Sequence, residues 1–231
     1  MIIMKKYEIF LFDADGTLYD YDMAEEHALK TMFEKSGLAF TGDIHNRYRE
    51  INKRAWESFE NGEITKDELQ VLRFSRLFDS IGVRRDAGEF NGDYLYELGK
   101  GSFLIEGALE ICKRIASRGK RIYIVTNGIL ATQTSRIRHS LISGFVSDFF
   151  VSEFVGHQKP HLAYFEYVFE HIPQIEKSKI LIVGDSLSAD IQGGVNAGID
   201  SCWYNSNNIE NITGIKPTYE IHKLSEIEQF I

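Results

Sequence analysis

The most informative part of the sequence for the fold is FLFDADGTLYDYD, which spans residues 10–22. An apolar run, typical of a buried β-strand, leads directly into four aspartates, and two of these, Asp13 and Asp15, are separated by one residue. Clustered carboxylates repel one another, and burial at the end of a strand adds to that cost. Because a divalent cation offsets the repulsion, the stretch predicts a metal-binding site after the first strand.

Composition and charge limit the classes of function that are open to the chain. The chain has 231 residues, of which 43% are hydrophobic and 26% are charged, proportions typical of a globular protein. The formal net charge of −8 argues against broad binding to nucleic acid or to an anionic membrane. It leaves room for a small anionic substrate, because a metal ion and one lysine can reverse the local field. We therefore expect no nucleic-acid or membrane partner, and a monomer or a small homo-oligomer.

The sequence also predicts a cytoplasmic location. No apolar stretch approaches the roughly 20 residues that a membrane-spanning helix needs. In residues 1–6 the apolar residues precede the basic ones, and no long apolar region follows, unlike in a signal peptide. Cys112 and Cys202 lie in apolar surroundings without a CxxC spacing, which predicts two buried, reduced thiols, as expected in a reducing compartment.

Five short runs of branched and aromatic residues predict β-strands. They lie at residues 7–12, 121–126, 149–152, 179–183 and 201–204. Their near-continuous apolar character indicates a parallel sheet that is covered on both faces. Helical patterns separate them, as at residues 107–118, where the apolar residues share one face and Gly119 occupies the position of a C-cap glycine. The predicted fold class is therefore α/β, a doubly wound parallel sheet with a Rossmann-like core.

The connection between the first and second strands is far longer than a crossover needs. Beyond the one helix that a parallel connection requires, roughly eighty further residues intervene, and they contain no convincing strand. Amphipathic patterns that predict helices lie at residues 27–34, 48–59 and 67–78. We predict an inserted helical cap domain at residues 19–97, with the core formed by residues 1–18 and 98–231.

Polar side chains follow three of the predicted strands directly. They are Asp13 and Asp15 after the first strand, Thr126 and Asn127 at the end of the second, and Asp185 after residues 179–183. Ligands bind at the carboxyl ends of strands in open α/β sheets, so we expect these side chains to meet in one crevice, together with Lys159. The carboxylates suit Mg²⁺, and the hydroxyl, amide and ammonium donors suit a phosphate.

Each of these signals has an ordinary explanation when it is taken alone. Asp15-Gly16 is a common turn pair, and Lys159 is typical of a solvated lysine before a helix. Asp190, in the first turn of a predicted helix, fits a surface acid that interacts with the helix dipole. Their joint occurrence, in order and close to strand ends, favours a functional site.

The whole set resembles the motifs of the haloacid dehalogenase-like hydrolases. The four motifs, in the order of that family, are Asp13-Ala14-Asp15-Gly16-Thr17, Thr126-Asn127-Gly128, Lys159-Pro160, and Gly184-Asp185 with Asp190. An insert directly after the first motif is what the family calls a type 1 cap, usually helical. One departure is Gln158, which replaces the small residue more usual before the lysine. The resemblance spans the whole chain.

The resemblance implies a chemical role for the acids. Asp13 would be the nucleophile that forms an aspartyl-phosphate, and Asp15 the general acid and base. Mg²⁺ would be bound by Asp13, Asp185 and the backbone carbonyl of Asp15. Dehalogenases of the family lack an acid at the position of Asp15, because a halide leaving group needs no proton. Its presence favours phosphoryl transfer, while phosphomutases, which keep the same core, stay an alternative.

The resemblance also implies how the phosphate is bound. Thr126, Asn127 and Lys159 would contact the phosphoryl oxygens, and Lys159 would also shield the charge of the nucleophile. Asp190 would orient Lys159 or a metal-bound water without binding the metal itself. The implied partner is a small phosphorylated metabolite.

Residues 52–74 resemble the cap of the bacterial noncanonical pyrimidine 5′-nucleotidases. This resemblance implies a pyrimidine nucleoside monophosphate as substrate, with Asn52, Lys53 and Trp56 as candidate contacts. Aromatic residues at helical spacing, in contrast, favour the interior of the cap; they are Trp56, Phe59, Phe74 and Phe78. A sugar-phosphate phosphatase or phosphomutase of the same family is the alternative function. A non-catalytic sensor of a phosphorylated metabolite is disfavoured, because both acids of the first motif are intact.

Overall fold

The structure is a computed structural model that describes residues 6–231. The prediction about a signal sequence concerns mainly residues 1–5, which lie outside the described residues. By its internal contacts the chain divides into two units. The sheet unit consists of the residues up to Tyr21 together with Ser102–Ile231, and the helical unit consists of Asp22–Gly101. Across residues 6–231, every helix is too short or too polar to cross a membrane.

The sheet unit is built on parallel β-strands. In chain order they are β1 Ile9–Phe12, β2 Arg121–Thr126, β3 Val146–Val151, β4 Ile180–Gly184, β5 Asp200–Tyr204 and β6 Tyr219–Ile221. Their order in the sheet is β3-β2-β1-β4-β5-β6, and each neighbouring pair is parallel. The central strand β1 therefore lies between β2 and β4, where the direction of strand addition reverses. In open α/β sheets this switch point is where ligands bind.

The helical unit contains the long connection after β1. Its helices are α1 Tyr21–Lys35, α2 Gly42–Glu60, α3 Lys66–Ile81 and α4 Ala87–Leu98. Local sequence defines the start of α3, where Thr65 and Glu68 form a reciprocal capping box. The three predicted helical patterns lie within α1, α2 and α3, whereas α4 was not predicted. Its apolar signal is weak because Gly88 and Gly92 interrupt it.

Aromatic side chains form the interior of the helical unit. Phe74 and Phe78 are buried there, as their spacing predicted, and the rings of Phe74 and Phe90 lie 4.9 Å apart. Trp56 and Phe59 are partly exposed, and their rings meet edge to face at 5.7 Å. The four aromatic residues with helical spacing thus divide between the interior and the surface of this unit.

Two hydrophobic cores cover the two faces of the sheet. Side chains along β1 alternate between them, since Phe10 and Phe12 belong to one core and Ile9 and Leu11 to the other. The first core includes apolar residues of α5, Ala108–Ser117, and the second includes those of α8, Leu162–His171. The remaining α-helices are α6 Leu130–His139, α7 Ser152–Val155 and α9 Gln192–Ala197. This arrangement confirms the predicted α/β fold, a doubly wound parallel sheet.

The two cysteines and the sheet edge show where the sequence was and was not sufficient. Cys112 and Cys202 are free and buried, as predicted, and burial raises the pKa of the Cys112 thiol to about 12.

The edge strand β6 was not predicted, because its three residues include the exposed Glu220 and form no apolar run. An edge strand is recognised by its pairing with a neighbour, and here Cys202 of β5 lies beside Tyr219.

Candidate active site

The central strands bring the predicted polar residues to one edge of the sheet. Asp13 follows β1 directly, and its amide donates a hydrogen bond of 2.9 Å to the carbonyl of Val183 in β4. Thr126 is the last residue of β2, and Asp185 follows Gly184, the last residue of β4. Because these strands are parallel neighbours, their carboxyl ends place the three side chains together.

Lys159 is buried beside Asp13. Its side chain is 2% exposed, and Nζ lies 2.5 Å from Asp13 Oδ1 and 2.7 Å from Asp190 Oδ1. Nζ also donates to the carbonyl of Val125, at 2.7 Å. The side chain of Asn127 holds the main chain of Lys159 at both polar groups, with hydrogen bonds of 2.9 Å to its carbonyl and from its amide. The lysine is therefore fixed at the head group and at the backbone.

Three carboxylates gather at this point. Oxygens of Asp13, Asp185 and Asp190 lie within 4.8 Å of one another. Both carboxylate oxygens of Asp190 accept hydrogen bonds, one from Lys159 and the other, at 3.1 Å, from the amide of Ser186. Asp13 and Asp185 offer the remaining hard oxygen donors, which is the donor chemistry that Mg²⁺ prefers.

The crowding of these acids shifts their proton affinity. Burial raises the pKa of Asp13 well above its ordinary value; Lys159 opposes this rise, and the charges of Asp190 and Asp185 add to it. Burial and the charge of Asp190 raise the pKa of Asp185 to about 7, although one side of this residue faces solvent. A divalent cation among the carboxylates would favour their ionised forms.

Two of these acids also raise the pKa of Lys159. Burial lowers the pKa of Lys159, but the charges of Asp13 and Asp190 raise it by more, so it lies above its ordinary value. Lys159 is therefore a permanent cation beside the first motif. A buried ammonium group next to a carboxylate can hold an anionic group that approaches the same carboxylate.

The side chain of Asp15 contacts α6. One of its carboxylate oxygens accepts a hydrogen bond from Arg136 Nη1, and the other accepts one from Gln133 Nε2. The guanidinium of Arg136 lies over the ring of Tyr19, at 5.1 Å from its centroid. The metal ligand predicted from Asp15 is its backbone carbonyl, and that prediction does not depend on the side-chain contacts with α6.

Two glycines of the motifs are required by close approaches. Gly16 has φ of 80°, and a Cβ placed there would lie 2.5 Å from Asp185 Oδ2. A Cβ at Gly128 would lie 2.3 Å from Gln133 Nε2. Both glycines therefore leave space for a carboxylate or an amide of the site, and the first also adopts a backbone conformation that favours glycine.

Sequence reasoning missed Gln133 and Arg136. They lie three residues apart on α6 and are both buried, which places two polar side chains on the inner face of a helix. This pattern could have been used as a signal, because α6 directly follows the second motif and its inward-facing polar residues lie near the site. It was overlooked because Arg and Gln usually lie on the surface.

The three candidate substrate contacts of α2 have different surroundings. Asn52 is buried within the helical unit, where it lies 3.2 Å from Glu25 Oε2 and 3.3 Å from Arg73 Nη1. Lys53 is exposed, at 3.9 Å from the carboxylate of Glu57, and Trp56 is partly exposed. A substrate contact by any of the three stays a prediction.

The sequence as a whole places the chain in a known class of proteins. Residues 7–198 match the sequence profile of the haloacid dehalogenase-like hydrolases. The chain belongs to this family and is an enzyme of the hydrolase class, which confirms the resemblance seen in its motifs. The order of its parallel strands and the position of its motifs at their carboxyl ends agree with that assignment.

Individual relatives are similar over almost the whole chain. The HAD-hydrolase YfnB of Bacillus subtilis is 43% identical over 97% of this chain and 95% of its own. The pyrimidine 5′-nucleotidase PynA of Streptococcus pneumoniae is 38% identical over 96% of this chain and 93% of its own. The pyrimidine 5′-nucleotidase YjjG of Escherichia coli is 32% identical over 98% of both chains. A crystal structure of YfnB bound to magnesium matches this structure with a TM-score of 0.91, over 96% of this chain and 97% of that one.

Proposed function

We propose that the protein is a magnesium-dependent phosphomonoesterase and that its substrates are nucleoside monophosphates, with pyrimidine nucleotides preferred. The observation that carries this proposal is the contact of Asp13 with the buried cation Lys159, beside Asp185 and at the switch point of the sheet. A carboxylate held next to a fixed cation can act as a nucleophile towards a phosphate group that the same cation attracts.

The residues present fit a bound Mg²⁺. Asp13, Asp185 and the backbone carbonyl of Asp15 would hold the ion. When bound, it supplies positive charge that offsets the repulsion among the acids and the phosphate. Asp190 holds Lys159 by a direct hydrogen bond of 2.7 Å, so we assign it to the orientation of the lysine rather than to the ion.

We assign the steps of the reaction to the two acids of the first motif. A carboxylate oxygen of Asp13 attacks the phosphorus, the bond from phosphorus to the leaving oxygen breaks, and Asp15 gives that oxygen a proton. The product of this step is an aspartyl-phosphate and a free alcohol. Asp15 then takes a proton from a water that attacks the phosphorus, which releases inorganic phosphate and restores Asp13.

The phosphoryl oxygens are assigned to donors around Lys159. Thr126 accepts a hydrogen bond of 3.1 Å from the amide of Gly128, which leaves its hydroxyl hydrogen to be donated to a phosphate. Lys159 contributes its charge. Asn127 is assigned to the phosphate as well, and its hydrogen bonds to the main chain of Lys159 give it a second role in fixing the lysine.

The helical unit is assigned to substrate selection. We propose that it is the cap domain of the enzyme, with a function in binding the nucleoside part through Asn52, Lys53 or Trp56. The names of PynA and YjjG, pyrimidine 5′-nucleotidases that are similar over both units, support this choice of substrate. The alternative is a sugar-phosphate phosphatase, supported by a glyceraldehyde 3-phosphate phosphatase of Pyrococcus abyssi that is 27% identical over 85% of this chain and 81% of its own. Two free, buried thiols support a reducing, cytoplasmic location.

A panel of phosphate esters tests the proposal. Purified protein with Mg²⁺ is given UMP, dTMP, AMP, glyceraldehyde 3-phosphate and p-nitrophenyl phosphate, and released phosphate is measured. We expect UMP and dTMP to have the highest kcat/KM, because the nucleoside part supplies binding energy that a minimal ester lacks. Faster hydrolysis of the sugar phosphate than of every nucleotide would support the alternative. Movement of phosphate within a phosphosugar, with little phosphate released, would indicate a mutase.

A further inference from the structure

The carboxylate of Asp15 is held by two side chains that the proposed mechanism does not use. Arg136 donates to one oxygen and Gln133 to the other, so both oxygens are fixed in space. The side chain of Asp15 remains 27% exposed, while that of Arg136 is 0% exposed. The partly exposed carboxylate of Asp15 is therefore paired with a fully buried guanidinium group.

The position of Arg136 is set by its own packing. Burying a guanidinium is costly unless it is paired, and here the pair is formed with Asp15 while the ring of Tyr19 lies 5.1 Å from the guanidinium carbon. Tyr19 is itself fully buried. The direction of the Arg136 head group is therefore fixed by the aromatic ring and the carboxylate together.

The position of Gln133 is set by the second motif. Its side chain passes so close to Gly128 that any larger residue there would collide with it. Gln133 is 1% exposed and lies one helical turn before Arg136 on α6. Gly128 therefore leaves the space through which the side chain of Gln133 extends to Asp15.

We infer that Gln133 and Arg136 are positioning residues that hold the Asp15 carboxylate where it meets the leaving oxygen. The inference rests on the proposed function, in which Asp15 protonates that oxygen. Each carboxylate oxygen can take part in two hydrogen bonds, so the two contacts with α6 leave positions for the transferred proton. A displacement of about 1 Å in a reacting group can cost roughly 100-fold in rate, so these two contacts have a large effect on proton donation.

Leaving groups of different basicity separate this role from a structural one. An alkoxide needs a proton when it leaves, whereas p-nitrophenolate leaves without one. The value of kcat/KM reports the steps up to release of the alcohol, the step in which Asp15 acts as an acid. A positioning defect therefore lowers kcat/KM for an alkyl phosphate more than for p-nitrophenyl phosphate, while loss of folded protein lowers both equally.

The experiment compares Gln133→Leu, Arg136→Leu and Arg136→Lys with wild type, using p-nitrophenyl phosphate and the fastest alkyl phosphate of the panel. Arg138→Leu is the matched control, since Arg138 is exposed on the same helix. Thermal unfolding of each variant measures the folded fraction. We expect the ratio of alkyl to aryl kcat/KM to fall by about 10- to 100-fold in Gln133→Leu and Arg136→Leu, a part of the roughly 10²- to 10⁴-fold contribution of a general acid. Arg136→Lys restores part of the ratio, because it keeps a charged donor, and Arg138→Leu leaves it unchanged.

Three results distinguish the failure of this inference from the failure of the proposed function. An unchanged ratio in both Gln133→Leu and Arg136→Leu, while Asp15→Asn lowers it, would overturn the positioning role and leave the mechanism intact. An unchanged ratio in Asp15→Asn would remove the acid role of Asp15 and the inference with it. A wild-type protein that hydrolyses none of the esters would overturn the proposed function itself.

Discussion

The sheet unit and the helical unit each bury a cluster of polar side chains, and the two clusters differ in charge. In the sheet unit, the buried Lys159 contacts Asp13 and Asp190, and the exposed Asp185 has an oxygen within 4.8 Å of both acids. The acids outnumber the lysine. Burial and the charge of Asp190 raise the pKa values of both Asp13 and Asp185. This cluster is therefore unfavourable by itself and favourable with a cation.

The cluster in the helical unit has no such excess of acids. Arg73 donates hydrogen bonds of 3.3 Å and 2.7 Å to Asn52 and Asn91, and Asn52 connects it to Glu25 at 3.2 Å. The same Glu25 lies 3.6 Å from His45. The carboxylate of Glu25 is thus linked to the guanidinium of Arg73 through the side-chain amide of Asn52. The same guanidinium lies over aromatic rings of the interior.

The difference shows that burial of polar groups does not by itself mark a functional site. The helical cluster joins α1, α2, α3 and α4 through matched partners, which is the role of a structural polar core. The sheet cluster lies at the ends of parallel strands and carries net charge, which is the condition for binding an ion and an anionic substrate. The following predictions test this division, beginning with the largest expected effect.

Loss of the nucleophile should abolish activity without unfolding the protein. In Asp13→Asn the amide cannot form the aspartyl-phosphate, so phosphate release should fall by on the order of 10⁴-fold or more. Thermal unfolding should change little, because the substitution removes one of three crowded negative charges. Asp148→Asn, on the exposed part of β3, is the control. Near-normal phosphate release by Asp13→Asn would contradict its role as nucleophile.

Loss of the base in the helical cluster should have the opposite pattern. Arg73→Met leaves Asn52 and Asn91 without their donor, so we expect the free energy of unfolding to fall by about 3 kcal/mol. Hydrolysis of p-nitrophenyl phosphate, corrected for the folded fraction, should persist. Arg76→Met, an exposed position on the same helix, should leave both properties unchanged. A folded Arg73→Met without any esterase activity would mean that this cluster takes part in the chemistry.

Removal of one carboxylate should change the metal requirement. In Asp185→Ala a hard oxygen donor is lost, so the Mg²⁺ concentration that gives half-maximal phosphate release should rise by at least about tenfold. Asp185→Asn, which keeps one oxygen donor, should give a smaller rise. A Mg²⁺ titration identical to that of wild type for Asp185→Ala would place the ion elsewhere.

Substitutions on the surface of α2 should have the smallest effect. Lys53→Ala and Trp56→Ala should each reduce the preference for UMP over p-nitrophenyl phosphate by about fivefold, since one exposed contact is worth roughly 1 kcal/mol. Hydrolysis of p-nitrophenyl phosphate and thermal stability should be retained. Lys30→Ala, an exposed position on α1, is the control. An unchanged preference in both variants would assign selection to other residues of the helical unit.

The sequence was most informative where local chemistry and strand position coincide. β1, β2 and β4 are central strands, so their residues are apolar on both faces and were recognisable as continuous runs. The motif residues directly after them could therefore be located in the fold before the structure was known. The same reasoning could not find β6 or α4, because an edge strand and a glycine-containing helix have weak patterns of their own.

Asn52 illustrates the limit of a motif without geometry. Its position in a stretch that resembles a nucleotidase cap makes it a candidate contact, and this stays a prediction. The structure adds that its side chain is buried and hydrogen-bonded to Glu25 and Arg73. Sequence resemblance gives the identity of a residue, whereas the direction of its side chain depends on how the helix is rotated against its neighbours. Lys53, the next residue, is exposed for the same reason.

Sequence patterns alone were enough to predict the family, the parallel sheet and the acids of the first and fourth motifs, because these follow from order along the chain and from the spacing of apolar residues. The donors around each acid were found only in the three-dimensional contacts. Lys159 reaches Asp13 across 146 positions of the chain and Arg136 reaches Asp15 across 121. Contacts of that range depend on the packing of helices against the sheet, and the packing selects one rotamer among those that the sequence allows.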